Sequence, residues 1–250
     1  MNPKFSIVDQ ETLALLVYTP WWEEGILHGM TLSPFSMVGD YPSPQASEFC
    51  RATGASLLVA PKQTHGALFF DARDGESLKD PHNGRGSLAR CGEYDGVLVP
   101  MSQNLPRETV AYAIATADCV PVVMRGDAGW GLAHAGWRGL ANGIIQNVAR
   151  GLGEVEEVAI FACAGGSAYE VGSEVIDAIG ETAAFVATGD SFLLDTAETA
   201  RRQLLPYVAA EAIETSGICT IRDPRFHSYR RDGAQSGRSL TFVSPPSIYL

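Results

Sequence analysis

The sequence predicts a mixed α+β sandwich. Strand-like runs outnumber helical ones, and the two kinds do not alternate strictly as a doubly wound parallel sheet would require. The chain also has the bulk for a sizeable core, with 250 residues of which 46% are hydrophobic. No repeat, low-complexity tract or linker divides it, so residues 1–250 are expected to form one domain.

Taken in order, apolar runs bounded by polar or turn-forming residues predict strands near Leu13–Thr19, Ser56–Ala60, Ala67–Phe70, Gly96–Val99, Thr109–Ala115 and Val120–Met124. Further runs mark Gly131–His134, Val158–Ala162 and Ser239–Val243. Pro44–Thr53 is read as a helix. Leu140, Ile144, Val148 and Leu152 recur every four residues, which predicts a helix over Arg138–Leu152. Glu170–Ile179 follows the Gly165-Gly166 turn and is read as a helix with carboxylates near its start. Asp195-Thr196-Ala197-Glu198 has the form of a capped helix start. The stripe Leu204, Leu205, Val208 and Ala212 extends that helix to Ile213. Asp71–Glu93 is polar and too long for a turn, so it reads as a mobile loop in which His82 is a solvent-exposed bystander.

Composition excludes several function classes. A net charge of −11 argues against nucleic acid or an anionic membrane as partner. No apolar run is long enough to span a bilayer, and Met1-Asn2-Pro3-Lys4 lacks a signal-peptide layout, so a cytoplasmic location is expected. The five cysteines, at 50, 91, 119, 163 and 219, are odd in number and contain no Cys-x-x-Cys. That is a reduced pattern, in which a special cysteine is catalytic or metal-binding rather than a staple. A small anion in a local basic pocket remains compatible with the charge. Arg222, Arg225, Arg230, Arg231 and Arg238 crowd one stretch, diluted only by Asp223 and Asp232.

Three segments carry chemistry. In Leu132-Ala133-His134-Ala135-Gly136-Trp137-Arg138-Gly139 an apolar strand delivers an imidazole to a tight turn before a helix. Lys62-Gln63-Thr64-His65-Gly66 follows another apolar run, and strand alternation would put Gln63 and His65 on one face. Within Ala113–Pro121 a buried-looking strand ends in Asp118-Cys119, and Pro121 should bend or bulge the chain directly after Cys119. A His, a Cys and a second His thus stand where rigid strands meet a cleft. One thiolate and two imidazoles make a three-ligand zinc set with a fourth position for water, a source of hydroxide for attack on carbon. Cys119 as a nucleophile activated by His134 or His65 is a rival reading. An inert buried cysteine beside hydrogen-bonded histidines is the third, and on the residues alone the most economical.

Six ordered motifs change that balance: Gln63-Thr64-His65-Gly66, Asp95–Val99, Thr116–Val122, His134–Gly139, Tyr169–Gly172 and Ser228–Gly233. In this order the chain, over about residues 56 to 243, resembles the YfiH-like family. That family is variously described as polyphenol oxidase (laccase domain), purine nucleoside phosphorylase and peptidoglycan editing factor. The resemblance implies an αββα-type sandwich like the cytotoxic necrotizing factor catalytic fold. It implies a metal, zinc with copper as the alternative, on His65, Cys119 and His134. It further implies action on small molecules, namely phosphorolysis of purine nucleosides with phosphate, or adenosine deamination. Asp118 and Arg138 are then the candidate catalytic residues, Asp118 orienting a ligand or protonating a purine nitrogen. Gln63, Gly136, Arg230 and Arg231 are candidates for holding substrate or anion.

The chain departs from the family pattern at two places. His28–Pro34 lacks the arginine and paired glycines of a Thr-Arg-x-Gly-Gly-Val-Ser-like segment, and Ser167-Ala168 replaces a cysteine pair. Phosphate binding should then fall to Arg138, Arg230 and Arg231, and deamination should outlast phosphorolysis. A laccase reading needs many closely paired imidazoles, whereas the chain has five His and no His-x-His. Peptidoglycan-precursor editing by an amidase mechanism, and a non-catalytic purine- or metal-binding module, are the remaining alternatives.

Overall fold

The structure, a computed structural model, describes residues 1–37, 44–73, 88–102 and 109–246. His82, with the 74–87 part of the expected loop, lies outside the described residues. Two mixed sheets dominate. The larger has seven strands in the order Phe5–Gln10, Leu13–Tyr18, Leu27–Thr31, Ser239–Ser244, Val110–Thr116, Leu57–Lys62 and Leu88–Glu93. The second has six, in the order Ile213–Thr215, Val155–Ile160, Val120–Gly126, Gly129–Ala135, Gly96–Val99 and Phe69–Asp71. A small third sheet joins Glu170–Val171, Ser191–Leu194 and Phe185–Thr188.

The period of two in the strands sorts side chains into layers. Leu16, Val59, Tyr112 and Ile114 from the first sheet meet Val97, Val123, Trp130 and Leu132 from the second in a shared core. Their neighbours point outward. Leu15, Val17, Leu58, Ala111, Ala113 and Phe242 pack under the Pro44–Thr53 helix through Ala46, Phe49 and Cys50. On the far side Leu98, Val122, Met124, Ala133 and Ile160 pack under the helices Ile144–Leu152, Ser173–Ile179 and Thr196–Leu204. The result is a helix–sheet–sheet–helix stack, the layering that the family resemblance implied for the mixed α+β sandwich read from the sequence. Strands buried on both faces explain why their sequences read as unbroken apolar runs rather than alternating ones.

Several elements differ from expectation. The Arg138–Leu152 helix is two helices, Trp137–Asn142 and Ile144–Leu152, separated by Gly143 at φ 80°. Glycine takes that left-handed value without the Cβ clash other residues suffer. The Thr196–Ile213 helix stops at Leu204, because Pro206 cannot continue it, and Leu205 faces solvent. Residues 210–212 then form a short 3₁₀ turn. Glu170–Val171 pairs as a strand, so the following helix starts only at Ser173. The end of the expected 71–93 loop is strand Leu88–Glu93, held in parallel beside Leu57–Lys62.

The chain passes between the two large sheets at three short connections: 63–68, 94–95 and 117–119. All three converge on the site described next.

Candidate metal centre and its cleft

The residues His65, Cys119 and His134 each present a donor atom, and these atoms lie within 4.8 Å of one another. His134 is carried near the end of strand Gly129–Ala135 and is 3% exposed. His65 and Cys119 come from the connections between sheets. His65 lies beyond the end of its strand, at φ 60°, so strand alternation does not govern its direction. Asp118, beside Cys119, has φ 90°. The chain's bend therefore falls before Cys119, while Pro121 sits just inside strand Val120–Gly126, opposite His134. Left-handed backbone at non-glycine residues costs energy and persists only where surroundings enforce it.

At His65, Asp95 supplies that enforcement. It is fully buried at the connection 94–95. Its carboxylate accepts the backbone N–H groups of Thr64 at 3.2 Å, His65 at 2.9 Å and Gly66 at 2.6 Å, together with the Thr64 hydroxyl at 3.2 Å. It also takes the Nδ1–H of His134 at 2.8 Å. Burial alone would raise the Asp95 carboxyl, but the His134, Gly66 and His65 hydrogen bonds prevail and bring it down to about 2. With Nδ1 committed to Asp95, the Nε2 of His134 is the nitrogen left for a metal. Asp95, rather than Asp118, therefore orients a histidine of the triad.

Cys119 Sγ lies 3.8 Å from His65 Nε2, and the two imidazole centroids are 4.9 Å apart. Burial would push the Cys119 thiol up. The charge and hydrogen bond of His134, aided by His65, outweigh that and favour the thiolate. Gly136 closes the group. A Cβ on it would stand 2.8 Å from Cys119 Sγ and 3.1 Å from His65 Cδ2, so no larger residue fits.

A cleft of 580 Å³ opens above the triad, within the usual range for small-molecule sites. His65, Cys119, His134, Gln63, Gly136, Asp118, Arg138 and Arg230 all line it. Gln63 is braced by two hydrogen bonds with the Ala115 backbone, each 2.7 Å. Both Asp118 oxygens are engaged, by the Thr220 hydroxyl at 2.7 Å and the Arg230 N–H at 2.6 Å. Arg231 is not among the lining residues. Its guanidinium donates to the Thr220, Asp223 and Phe226 carbonyls and pairs with Asp232, which staples the C-terminal turn.

Residues 43–245 match the family described as multi-copper polyphenol oxidoreductase laccase. The chain belongs to that family, the YfiH-like proteins. Its relatives include a purine nucleoside phosphorylase of Xylella fastidiosa (strain Temecula1 / ATCC 700964), 39% identical over 143 residues, which are 52% of this chain and 55% of the relative. The purine nucleoside phosphorylase YfiH of Escherichia coli (strain K12) is 37% identical over 52% of this chain and 58% of its own length. The purine nucleoside phosphorylase YlmD of Bacillus subtilis (strain 168) is 32% identical, over 70% of this chain and 69% of its own length. The chain thus spans about half the length of the first relatives it matches. The solved YfiH from Bacillus licheniformis superposes with a TM-score of 0.76 at 22% identity, covering 97% of this chain and 99% of that one. YlmD from Geobacillus stearothermophilus gives 0.74 at 23%, covering 95% and 98%. Both likenesses establish the fold.

Two residues of this YfiH-like chain went unrecognised as site residues in the sequence. Asp95 stood inside a quoted motif, as an acid placed directly before an apolar strand, which is an expensive position for a carboxylate without partners. Arg238 belonged to the noted arginine cluster, and it too lines the cleft. No helix among the described residues is long and apolar enough to cross a membrane.

Proposed function

We propose that the chain is a metal-dependent purine nucleoside enzyme, with one zinc ion on His65, Cys119 and His134. The observation that carries this reading is the convergence of three donor atoms within 4.8 Å at the base of a cleft, in a chain whose relatives are named purine nucleoside phosphorylases. The donor set fits the ion: a thiolate and two imidazoles are zinc ligands, and the Asp95–His134 hydrogen bond is the outer support such ligands require. Zinc bound there would supply Lewis-acid chemistry to the cleft.

The protein's own groups do the remaining work. Asp95 holds the proton on His134 Nδ1. Asp118 is a positioning residue that ties Thr220 and the Arg230 turn to the Cys119 connection. Gln63 fixes the cleft wall, and Arg138, exposed and stacked 4.2 Å over Trp137, is placed to meet an anion. A copper-cluster oxidase is disfavoured, since a single group of metal-ligating residues forms among the described residues.

Purified protein incubated with adenosine, with and without phosphate, tests the reading. Adenine appearing only with phosphate identifies phosphorolysis, and inosine identifies deamination. The altered 28–34 segment favours deamination over phosphorolysis. Metal-loaded protein that consumes no purine nucleoside in either condition refutes the proposal.

A further inference from the structure

Four arginines line the cleft, Arg90, Arg138, Arg230 and Arg238, and the last three have no carboxylate partner among the described residues. In a chain of net charge −11, unpaired cations gathered in one cleft have an energetic cost through mutual repulsion. Each is held on an aromatic ring that lines the same cleft. Arg138 lies 4.2 Å from the Trp137 centroid, Arg230 4.6 Å from Tyr169 and Arg238 5.8 Å from Tyr229. Stacking of this kind orients a guanidinium and leaves its edge donors for a ligand.

The remaining bonds sharpen the picture. Arg230 gives one nitrogen, Nη1, to the Glu170 carbonyl at 2.6 Å. Arg238 gives Nη1 to the Ser236 and Gly237 carbonyls at 2.9 and 2.8 Å. These contacts fix the side chains without neutralising them. Arg138 follows Gly136, which abuts the triad, whereas Arg230 and Arg238 stand on the C-terminal segment. The cations are thus distributed over two segments, more than one inorganic phosphate needs for bidentate capture.

We propose that the substrate carries its own phosphate: the cleft is built for a phosphorylated nucleoside, whose phosphate Arg230 and Arg238 hold. The proposal rests on the purine nucleoside reading and names its substrate class. Tyr229, 54% exposed at the rim, then serves to keep Arg238 directed, as Tyr169 does for Arg230.

Calorimetric binding to the metal-loaded full chain, in phosphate-free buffer, tests this with adenosine 5′-monophosphate and adenosine as probes. The monophosphate is expected to bind about 10–100-fold more tightly, the value of one strong charge-assisted contact. R238Q should lose most of that advantage with little change for adenosine, and R238K should restore part of it. The wild-type preference should also shrink as salt rises, a measurement that needs no variant to fold. Equal affinity for the two probes overturns the proposal, as does a preference that survives R230Q/R238Q. If added inorganic phosphate tightens adenosine binding while the monophosphate has no advantage, the arginines serve the free anion, and the nucleoside reading stands without this extension. Binding of neither probe removes both.

Discussion

Replacing Asp95 by Asn should damage the fold and the metal centre together, in amounts that follow from its contacts. The carboxylate offers two acceptor oxygens to three backbone N–H groups, one hydroxyl and one imidazole. An amide offers one acceptor. Turned one way, its NH₂ faces the Thr64 and Gly66 N–H groups and strands two partly buried donors. Turned the other way, it strands the His65 N–H and forces His134 to accept at Nδ1, moving the proton to the nitrogen needed for metal. Each stranded donor costs about 1–3 kcal/mol, so the better orientation still loses about 1–3 kcal/mol and the ligand tautomer with it. For a chain of this size that is a fall of roughly 2–12 °C in Tm. Zinc affinity should drop about 10–100-fold, as for other supporting groups of metal ligands. Scanning calorimetry of chelated protein and a competitive zinc titration give the two quantities. Unchanged Tm and zinc affinity in D95N would refute the role assigned to this carboxylate.

Other expected outcomes follow from the same geometry. Untagged protein should contain close to one equivalent of metal, and Cys119→Ser should lose most of it in elemental analysis; full retention would point to a nucleophilic cysteine. Gly136→Ala places a methyl against Cys119 Sγ and His65, so overpacking should cost about 1–3 kcal/mol and lower metal content, both readable by denaturation and elemental analysis. Thiol titration of denatured, unreduced, chelated protein should count five thiols, matching the five free cysteines of the fold. His28 is fully buried, accepts the Tyr18 N–H at Nε2 and donates from Nδ1 to Ile26 O, and burial lowers it to about 4. The unfolded chain protonates this group near pH 6.5 and the folded chain near 4. Its stability contribution is therefore full above 6.5 and falls by about 3 kcal/mol as pH drops to 4; urea denaturation across that window should show a decline that His28→Gln lacks.

The layered core was legible because its strands are buried on both faces. Val110–Thr116, Val120–Gly126 and Gly129–Ala135 carry apolar runs that no surface element shows. Most edge and exposed strands were not legible, Phe69–Asp71 being an exception. Phe5–Gln10 is half-exposed at one edge, and Phe185–Thr188 is exposed along its whole length. Their pairing is set by backbone partners and leaves little mark in composition. Leu88–Glu93 is polar for the same reason. At the site, the triad residues could be named, since a His or Cys ending an apolar run is conspicuous. What held them was harder to see, because Asp95 acts through main-chain amides 29–31 residues away. Arg230 and Arg231, adjacent in sequence, separate into a cleft residue and a staple only when the turn is formed.

The three connections between the large sheets supply His65, Asp95 and Cys119, while His134 belongs to the second sheet itself. A metal on this triad would therefore act as a rivet through one end of the sandwich. Ligand binding to the folded state alone adds RT ln(1 + [L]/Kd) to stability, and here that increment falls on the seam between the two halves of the core. Hydrogen exchange at residues 63–68, 94–95 and 117–119 should slow together when metal is added, ahead of the distant Phe5–Gln10 edge. Melting temperature then becomes a direct gauge of how full the centre is.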